Sequence, residues 1–266
     1  VAISRVSGQE ADMTERARLT AIYRYPVKGL SAEPLNEVEV AVGETLPFDR
    51  AYAIEIGAGR FDPAAPRSVP KVNFLMLMRH AALAELQTRF DPADQTLSIA
   101  RDGRRVVSAS LATPVGRAII GQFFAEFLKD ELHGVPHVVH AEGHAHTDEA
   151  TKCVHIVNRQ TAQELERLAG QPIDLVRFRP NLVVEGFEPS SEFDWVGRTL
   201  QIGEVALEVF ERTERCAATN VNPATGRRDL DLPALIKRHW GHRDFGVYAR
   251  ILNAGRLRTG DACYLT

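Results

Sequence analysis

The chain has 266 residues, 44% of them hydrophobic, with 32 basic and 35 acidic side chains for a formal charge of −3. That is enough apolar material for one large domain or two, and the near balance of charge excludes a general attraction to nucleic acid or anionic membrane, so any anion site has to be built locally. No stretch approaches the ~20 apolar residues of a membrane-spanning helix, the opening VAISRVSGQEADMTERA lacks the apolar core of a signal peptide, and Cys153, Cys216 and Cys263 form no CxxC pair. These features argue against a zinc site, an iron–sulfur cluster or a disulfide framework, and a cytoplasmic protein is expected, with residues 1–17 as a flexible extension.

From Leu19 the pattern is strand-like: LTAIYRYPV, then EVEVAV at Glu37–Val42 and RAYAIEIG at Arg50–Gly57, each bounded by Gly, Pro or Asn. Gly57–Pro70 is too rich in proline and glycine for regular structure and predicts a long loop. Phe74–Phe90 fits two readings, a helix after Arg79 or a buried strand over its first five residues, and its spacing does not separate them. LSIA between two turn-like stretches predicts a hairpin, and Thr113-Pro114 opens a helix through Leu128 with Ile119, Phe123 and Phe127 at helical spacing. The polar, His-rich stretch from Lys129 to Thr151 predicts the connection between an N-terminal domain over residues 18–132 and a C-terminal one over 133–266. Beyond it, VHIVN predicts a strand, Thr161 with Glu164 the capping box of a short helix ended by Gly170, and LVVE, TLQIG and VALEVFER three further strands. A short helix over Leu232–His239 and a strand over Phe245–Leu252 complete the pattern.

Val205, Leu207 and Val209 alternate along one strand, which then delivers ERTERC, so Cys216 comes where a strand gives way to a loop. Arg212 and Arg215 lie within four residues of it, and guanidinium charge favours a thiolate, the form needed for nucleophilic attack or metal ligation; the competing reading is the inert, buried small residue that most free cysteines are. RFRPN at Arg177–Asn181 puts two arginines on one side of an extended segment, suited to fork hydrogen bonds onto phosphate or else to form ordinary ion pairs. NPATG at Asn222–Gly226 is a turn whose backbone N–H groups can also meet an anion. His137, His140, His144 and His146 with Asp148 have the composition of a metal site but sit in a polar loop, where a solvated role is expected. His239 and His242 offer a Cys–His pair with Cys216 for hydrolase chemistry, against a plain helix end.

Taken in order, RFRPN, ERC, TNVNPATGRRD, FGVYA at Phe245–Ala249 and GRLRTGD at Gly255–Asp261 resemble the MOSC domain, named after the C-terminal domain of molybdenum cofactor sulfurases. YRYPVKGL and FDR at Phe48–Arg50 resemble the β-barrel domain that precedes it in two-domain members. The resemblance implies a β-rich α/β fold, with a MOSC β-barrel packed against an N-terminal β-barrel-like domain and a few short helices. It further implies a molybdenum cofactor, Mo-molybdopterin, in the cleft between them, with Cys216 as catalytic residue and molybdenum ligand. Lys28 and Arg50 match cofactor-binding positions on the N-terminal side, and Arg179, Asn181, Arg212 and Arg215 fall on the MOSC side.

The implied activity is that of the amidoxime-reducing members: a pyridoxal phosphate-independent oxidoreductase acting on N-hydroxylated or related N-oxygenated compounds. No iron–sulfur cluster is expected in this chain, so electrons would come from a separate donor protein of the ferredoxin or flavin-reductase type. The alternative is a sulfur carrier bearing a persulfide on Cys216 and charged by a cysteine desulfurase; a storage protein without turnover is a third reading. Two departures stand out. Gly29 occupies a place where relatives often have Ser, and FDPAAPR replaces Phe-x-Thr-x-Arg, with Arg67 as a candidate substitute for that arginine.

Overall fold

The computed structural model describes residues 17–57 and 59–266. The expected extension lies outside the described residues apart from Ala17, which is buried and whose carbonyl accepts a hydrogen bond from Cys263 N–H. The alternating and β-branched stretches become strands: Arg18–Arg24 (β1), Glu33–Leu35 (β2), Glu37–Val40 (β3), Ala53–Glu55 (β4), Leu86–Asp91 (β5), Thr96–Arg101 (β6), Arg104–Ser110 (β7) and His137–Val139 (β8). After them come Val154–Asn158 (β9), Leu182–Glu185 (β10), Thr199–Ile202 (β11), Val205–Glu214 (β12), Asp244–Ile251 (β13), Gly255–Arg258 (β14) and Cys263–Leu265 (β15). Among the described residues, the α-helices are Pro114–Phe127 (α1), Arg159–Ala169 (α2) and Leu232–Trp240 (α3).

Eight strands form one sheet in the order β15-β11-β12-β13-β9-β10-β1-β2. Two features of this order position the site. The N-terminal strand β1 lies antiparallel to β10, with Leu19 opposite Val184, so the first and second halves of the chain share a sheet. The parallel pair β9 and β10 is joined through α2, and β9 is buried at every position, as expected of a strand covered on both faces. One face packs in a core with Leu19, Ile22, Leu207 and Val247, and the other meets Leu165, Leu232 and Ile236 of the helices.

The β-rich class and the few short helices agree with expectation, but the strand order is that of an open sheet rather than a closed barrel ladder. The start of β1 nevertheless meets the segment that leads into β15: Arg18 bridges Ala262, Leu19 N–H donates to Asp261 O at 2.9 Å and Gly260 N–H to Leu19 O at 2.7 Å. Among the described residues, the remainder of the first half also forms no closed barrel ladder. It consists of the meander β5-β6-β7, the pair β4·β8 and α1, gathered around Tyr52, Leu75, Leu97, Ile120 and Phe124.

Local chemistry explains most element boundaries. Thr113 caps α1 by accepting from Gly116 N–H, with Pro114 in the first turn where its missing N–H costs nothing. Phe74–Phe90 follows neither of its two readings: Ala81–Glu85 is a short 3₁₀ turn, and β5 begins at Leu86. The second helix starts earlier than its capping-box pattern implies. Asn158 caps α2, which leaves Thr161 inside the helix to donate to Glu192 Oε2 at 2.7 Å, while Gly170 ends the helix in a left-handed conformation. Among the described residues, no helix is long and apolar enough to cross a membrane.

Candidate functional site

The two N-terminal motifs, Tyr23–Leu30 and Phe48–Arg50, zip together. Arg50 N–H donates to Tyr25 O at 2.7 Å, Tyr25 N–H to Asp49 Oδ1 at 2.8 Å, and Lys28 N–H to Tyr52 O at 2.8 Å. To make this turn Phe48 and Arg50 adopt positive φ, a sparsely populated conformation for such residues that persists where the surroundings over-determine it. Asp49 forms an ion pair with Arg50 and is fully buried.

RFRPN makes a second tight turn rather than the extended segment expected. Leu175–Phe178 is a 3₁₀ turn and Arg179 is left-handed at φ 53°, so the two arginines diverge. Arg177 turns inward, pairing with Asp229 at 2.7 Å and donating to Asn220 O at 3.2 Å, and thereby braces the loop after Cys216. Arg179 turns toward the N-terminal motif. Its guanidinium carbon lies 4.1 Å from the Tyr25 ring centroid and that of Arg50 lies 4.7 Å from it, so one buried aromatic ring holds two cations. Arg50 also donates to Arg179 O at 3.3 Å, and Tyr25 Oη to Pro180 O at 3.1 Å.

Cys216 follows the end of β12 and opens the 3₁₀ turn Ala217–Asn220, its carbonyl accepting from Thr219 N–H. It is half-buried, whereas Cys153 and Cys263 are buried. Beside it Arg215 donates to Phe178 O at 2.6 Å. His155, on β9, places its ring nitrogens 3.4 Å from Arg179 O and 3.3 Å from Phe245 O. Burial, followed by the charge of Arg215, holds this imidazole well below its ordinary pKa and therefore neutral. Gly246 permits the approach, since a Cβ there would sit 2.5 Å from His155 Nε2.

These elements surround a cleft that is open to solvent. Among the described residues, five cationic side chains line it, Lys28, Arg50, Lys71, Arg179 and Arg215, against two carboxylates, Asp148 and Glu149. Asp148 is shared: Lys28 Nζ meets one oxygen at 2.5 Å and Lys71 Nζ the other at 3.3 Å. Burial alone would raise the Asp148 pKa, but the two lysines override it and hold the carboxyl at about 2. Burial lowers Lys28 against the pull of Asp148, whereas Lys71 is raised because Asp148 and Cys216 outweigh its burial. Arg179 is lowered to about 10 by burial and then by Arg50, and burial raises Cys153 to about 12, which makes it an inert thiol in the cleft wall.

Of the residues singled out in the sequence, Lys28, Arg50, Arg179, Asn181, Arg215 and Cys216 all line this cleft. Asn181 reaches it with its amide already engaged, accepting from His155 N–H and donating to Tyr23 O, so it positions its neighbours. Arg212 is a correction. Breaks in the register of β12 on either side of it re-aim the strand, and Arg212 lies exposed over Phe193, donating to Phe193 O at 2.8 Å outside the cleft. Arg67 is exposed and also outside it.

The histidines sort themselves by packing. His140 stacks on Tyr52 and His146 packs on Phe61 and Phe74, with burial pushing His146 down to about 3; they are packed rather than solvated. Among the described residues, no group of His, Cys, Asp and Glu is disposed to hold a metal ion. His242 accepts from Asp244 N–H and packs on Phe193, leaving His155 as the histidine of the cleft. Sequence reading missed Lys71, His155 and the cleft role of Asp148. For His155 a signal existed, a lone polar residue inside the apolar VHIVN strand.

Gly29 is required by the backbone. Its φ is +84° and a Cβ would lie 2.8 Å from Leu75 O. Gly29→Ser is therefore expected to destabilise the protein by about 2 kcal/mol in urea unfolding. An unchanged midpoint would mean that the cleft floor yields to the side chain.

A family model described as the MOSC domain matches residues 131–264, half of the chain. The chain belongs to the MOSC family. It is 24% identical to mitochondrial amidoxime-reducing component 1 of Homo sapiens over 306 aligned positions, covering all of this chain and 90% of the human protein. It is 28% identical to the rat component 2 over 123 residues, 42% of this chain and about a third of that relative's length, 36%. A third relative, molybdenum cofactor sulfurase of Oryza sativa subsp. japonica, is 39% identical over 95 residues, 34% of this chain and 11% of that protein. Among solved structures, the YUAD protein from Bacillus subtilis aligns over 94% of both chains with a TM-score of 0.45 and 12% identity. Within the MOSC match lie Asp148, His155, Arg179, Arg215 and Cys216, whereas Lys28, Arg50 and Lys71 come from the chain before it.

Proposed function

We propose that this MOSC protein is a molybdenum-cofactor-dependent oxidoreductase that reduces N-hydroxylated compounds, with Cys216 providing the thiolate for the metal. The observation that carries this is the state of two arginines. Among the described residues, Arg179 and Arg215 are bonded to backbone carbonyls rather than to carboxylates, and Arg179 Nη2 and Arg215 Nε are buried without a partner. Half-buried guanidinium charge left unpaired is costly, and beside a half-exposed thiol it fits a ligand that is both anionic and thiophilic. A pterin dithiolene carrying phosphate has that character. Arg179, Arg215 and Lys28 would hold its anionic groups, and Tyr25, Asn181 and Arg50 would keep Arg179 in place. When bound, the cofactor supplies two-electron redox chemistry.

Reduction of an N-hydroxylated compound consumes two electrons and two protons and yields the amine-type product and water. The electrons come from a separate donor protein. Lys71, half-exposed and with its pKa raised, keeps a proton on Nζ at the cleft. The names of the human and rice relatives support a role with this cofactor.

The test is the content of protein made in a host competent for the cofactor. Wild type is expected to carry molybdenum and fluorescent oxidised pterin near one equivalent, and Arg179→Met about a tenth of that or less, the loss of one charge-assisted pair of hydrogen bonds. Wild-type protein containing neither would overturn the reading. A second reading, a persulfide carrier, is favoured by one observation: Cys216 is the least buried of the three thiols. Incubation with a cysteine desulfurase would then add one sulfur to Cys216 by mass spectrometry.

A further inference from the structure

We infer that Arg228 is a positioning residue that straps the two walls of the cleft together beside Cys216. Its guanidinium reaches three backbone carbonyls on two distant segments. Nη1 donates to Ala217 O at 3.1 Å, the residue after Cys216, and Nη2 donates to Leu77 O at 3.2 Å and Met78 O at 2.8 Å. Leu77 and Met78 line one side of the cleft, and Cys216 and Ala218 the other. The first segment precedes the MOSC match and the second lies inside it, so this one side chain spans the join.

The strap is fastened at its own end. Asp229, next in the chain, is pinned by buried Arg177 at 2.7 Å and by Asn222 Nδ2 at 2.6 Å, and Val221 forms a bridge with Arg228. The loop from Ala217 to Asp229 is thus rigid on the MOSC side, and Arg228 transmits that rigidity across to Leu77 and Met78. An arginine suits this role, because its planar fork serves several carbonyl oxygens at once where an ammonium is a single point. Arg228 itself is exposed and lies outside the cleft lining, so its work is on the wall and not on a ligand. The strap acts in the protein without any cofactor.

The experiment compares full-length wild type, Arg228→Ala and Arg228→Lys, all without cofactor, by hydrogen exchange with mass spectrometry. The readout is the 74–80 segment, which is about 150 positions away in sequence and carries no substitution. In Arg228→Ala, amides in both 74–80 and 217–229 are expected to exchange about tenfold faster, as loss of a charge-assisted hydrogen-bond group allows. Peptides of β12 should be unchanged, and Arg228→Lys should fall between. Alkylation gives a second measurement: Cys216 is expected to react faster in Arg228→Ala while buried Cys263 keeps its wild-type rate. Acceleration confined to 217–229, or no acceleration at all, would overturn the strap. So would equal acceleration at Cys263, which reports global destabilisation instead.

Discussion

Cys216→Ser is expected to retain most of its pterin while losing turnover of an N-hydroxylated model substrate by about a thousandfold or more, the scale on which removing a group at the reaction centre acts. The two effects separate because the groups proposed to grip the cofactor lie elsewhere. Arg179 follows the 3₁₀ turn Leu175–Phe178, and Lys28 comes from the motif after β1. A serine hydroxyl has nearly the same size as the thiol but is neither soft nor readily ionised, so it cannot replace a thiolate on a thiophilic metal. Paired measurements of pterin fluorescence and reductase rate decide the matter. Turnover within a few-fold of wild type would remove Cys216 from the chemistry, and parallel loss of pterin and rate would make it a binding residue alone.

Glu192→Gln is expected to stabilise the protein at pH 8 relative to wild type by about 2–3 kcal/mol, and to leave it unchanged near pH 4.5. Glu192 is buried, accepts from Thr161 Oγ1 and Asn158 Nδ2 on one oxygen, and has its other oxygen without a partner. Burial raises its pKa from 4.5 to about 7, against the opposing pull of the two hydrogen bonds. A carboxyl with a raised folded pKa makes its full contribution below the unfolded value and loses it as pH rises toward the folded one, because the unfolded chain gives up its proton first. The penalty therefore develops between about pH 4.5 and 7. Buried His146 and His155, with lowered pKa values, act in the opposite sense, so the difference between variant and wild type is the informative quantity. Urea unfolding of both proteins at the two pH values checks it, and a difference independent of pH would rule out titration of Glu192.

What the sequence disclosed depended on whether a residue's role was written locally. β9 and β10 coincide with VHIVN and LVVE because continuous apolar runs leave no other burial for them. Lys28, Arg50, Arg179, Arg215 and Cys216, singled out by their motifs, line one cleft although they span most of the chain. Arg212 failed for a local reason invisible in the sequence, the breaks in register on β12. Arg177 departs from the extended segment expected because Leu175–Phe178 is a 3₁₀ turn and Arg179 is left-handed, which sends the two arginines to opposite tasks. Lys71 lies on a 3₁₀ turn after a proline-rich loop, where no periodicity announces orientation. Asp148 was visible only as one of a polar series, and its importance came from two lysines remote in the chain.

The pairing of β1 with β10 also sets the order in which the molecule can be finished. Leu19 emerges from the ribosome 165 positions before its partner Val184, an interval of about 10–30 s at ordinary rates of synthesis. During that time one wall of the cleft exists and the other does not. Capture of the proposed cofactor would therefore wait until both walls are made, and a nascent protein stalled before Leu182 would present β1 with an unpaired edge, a target for chaperones.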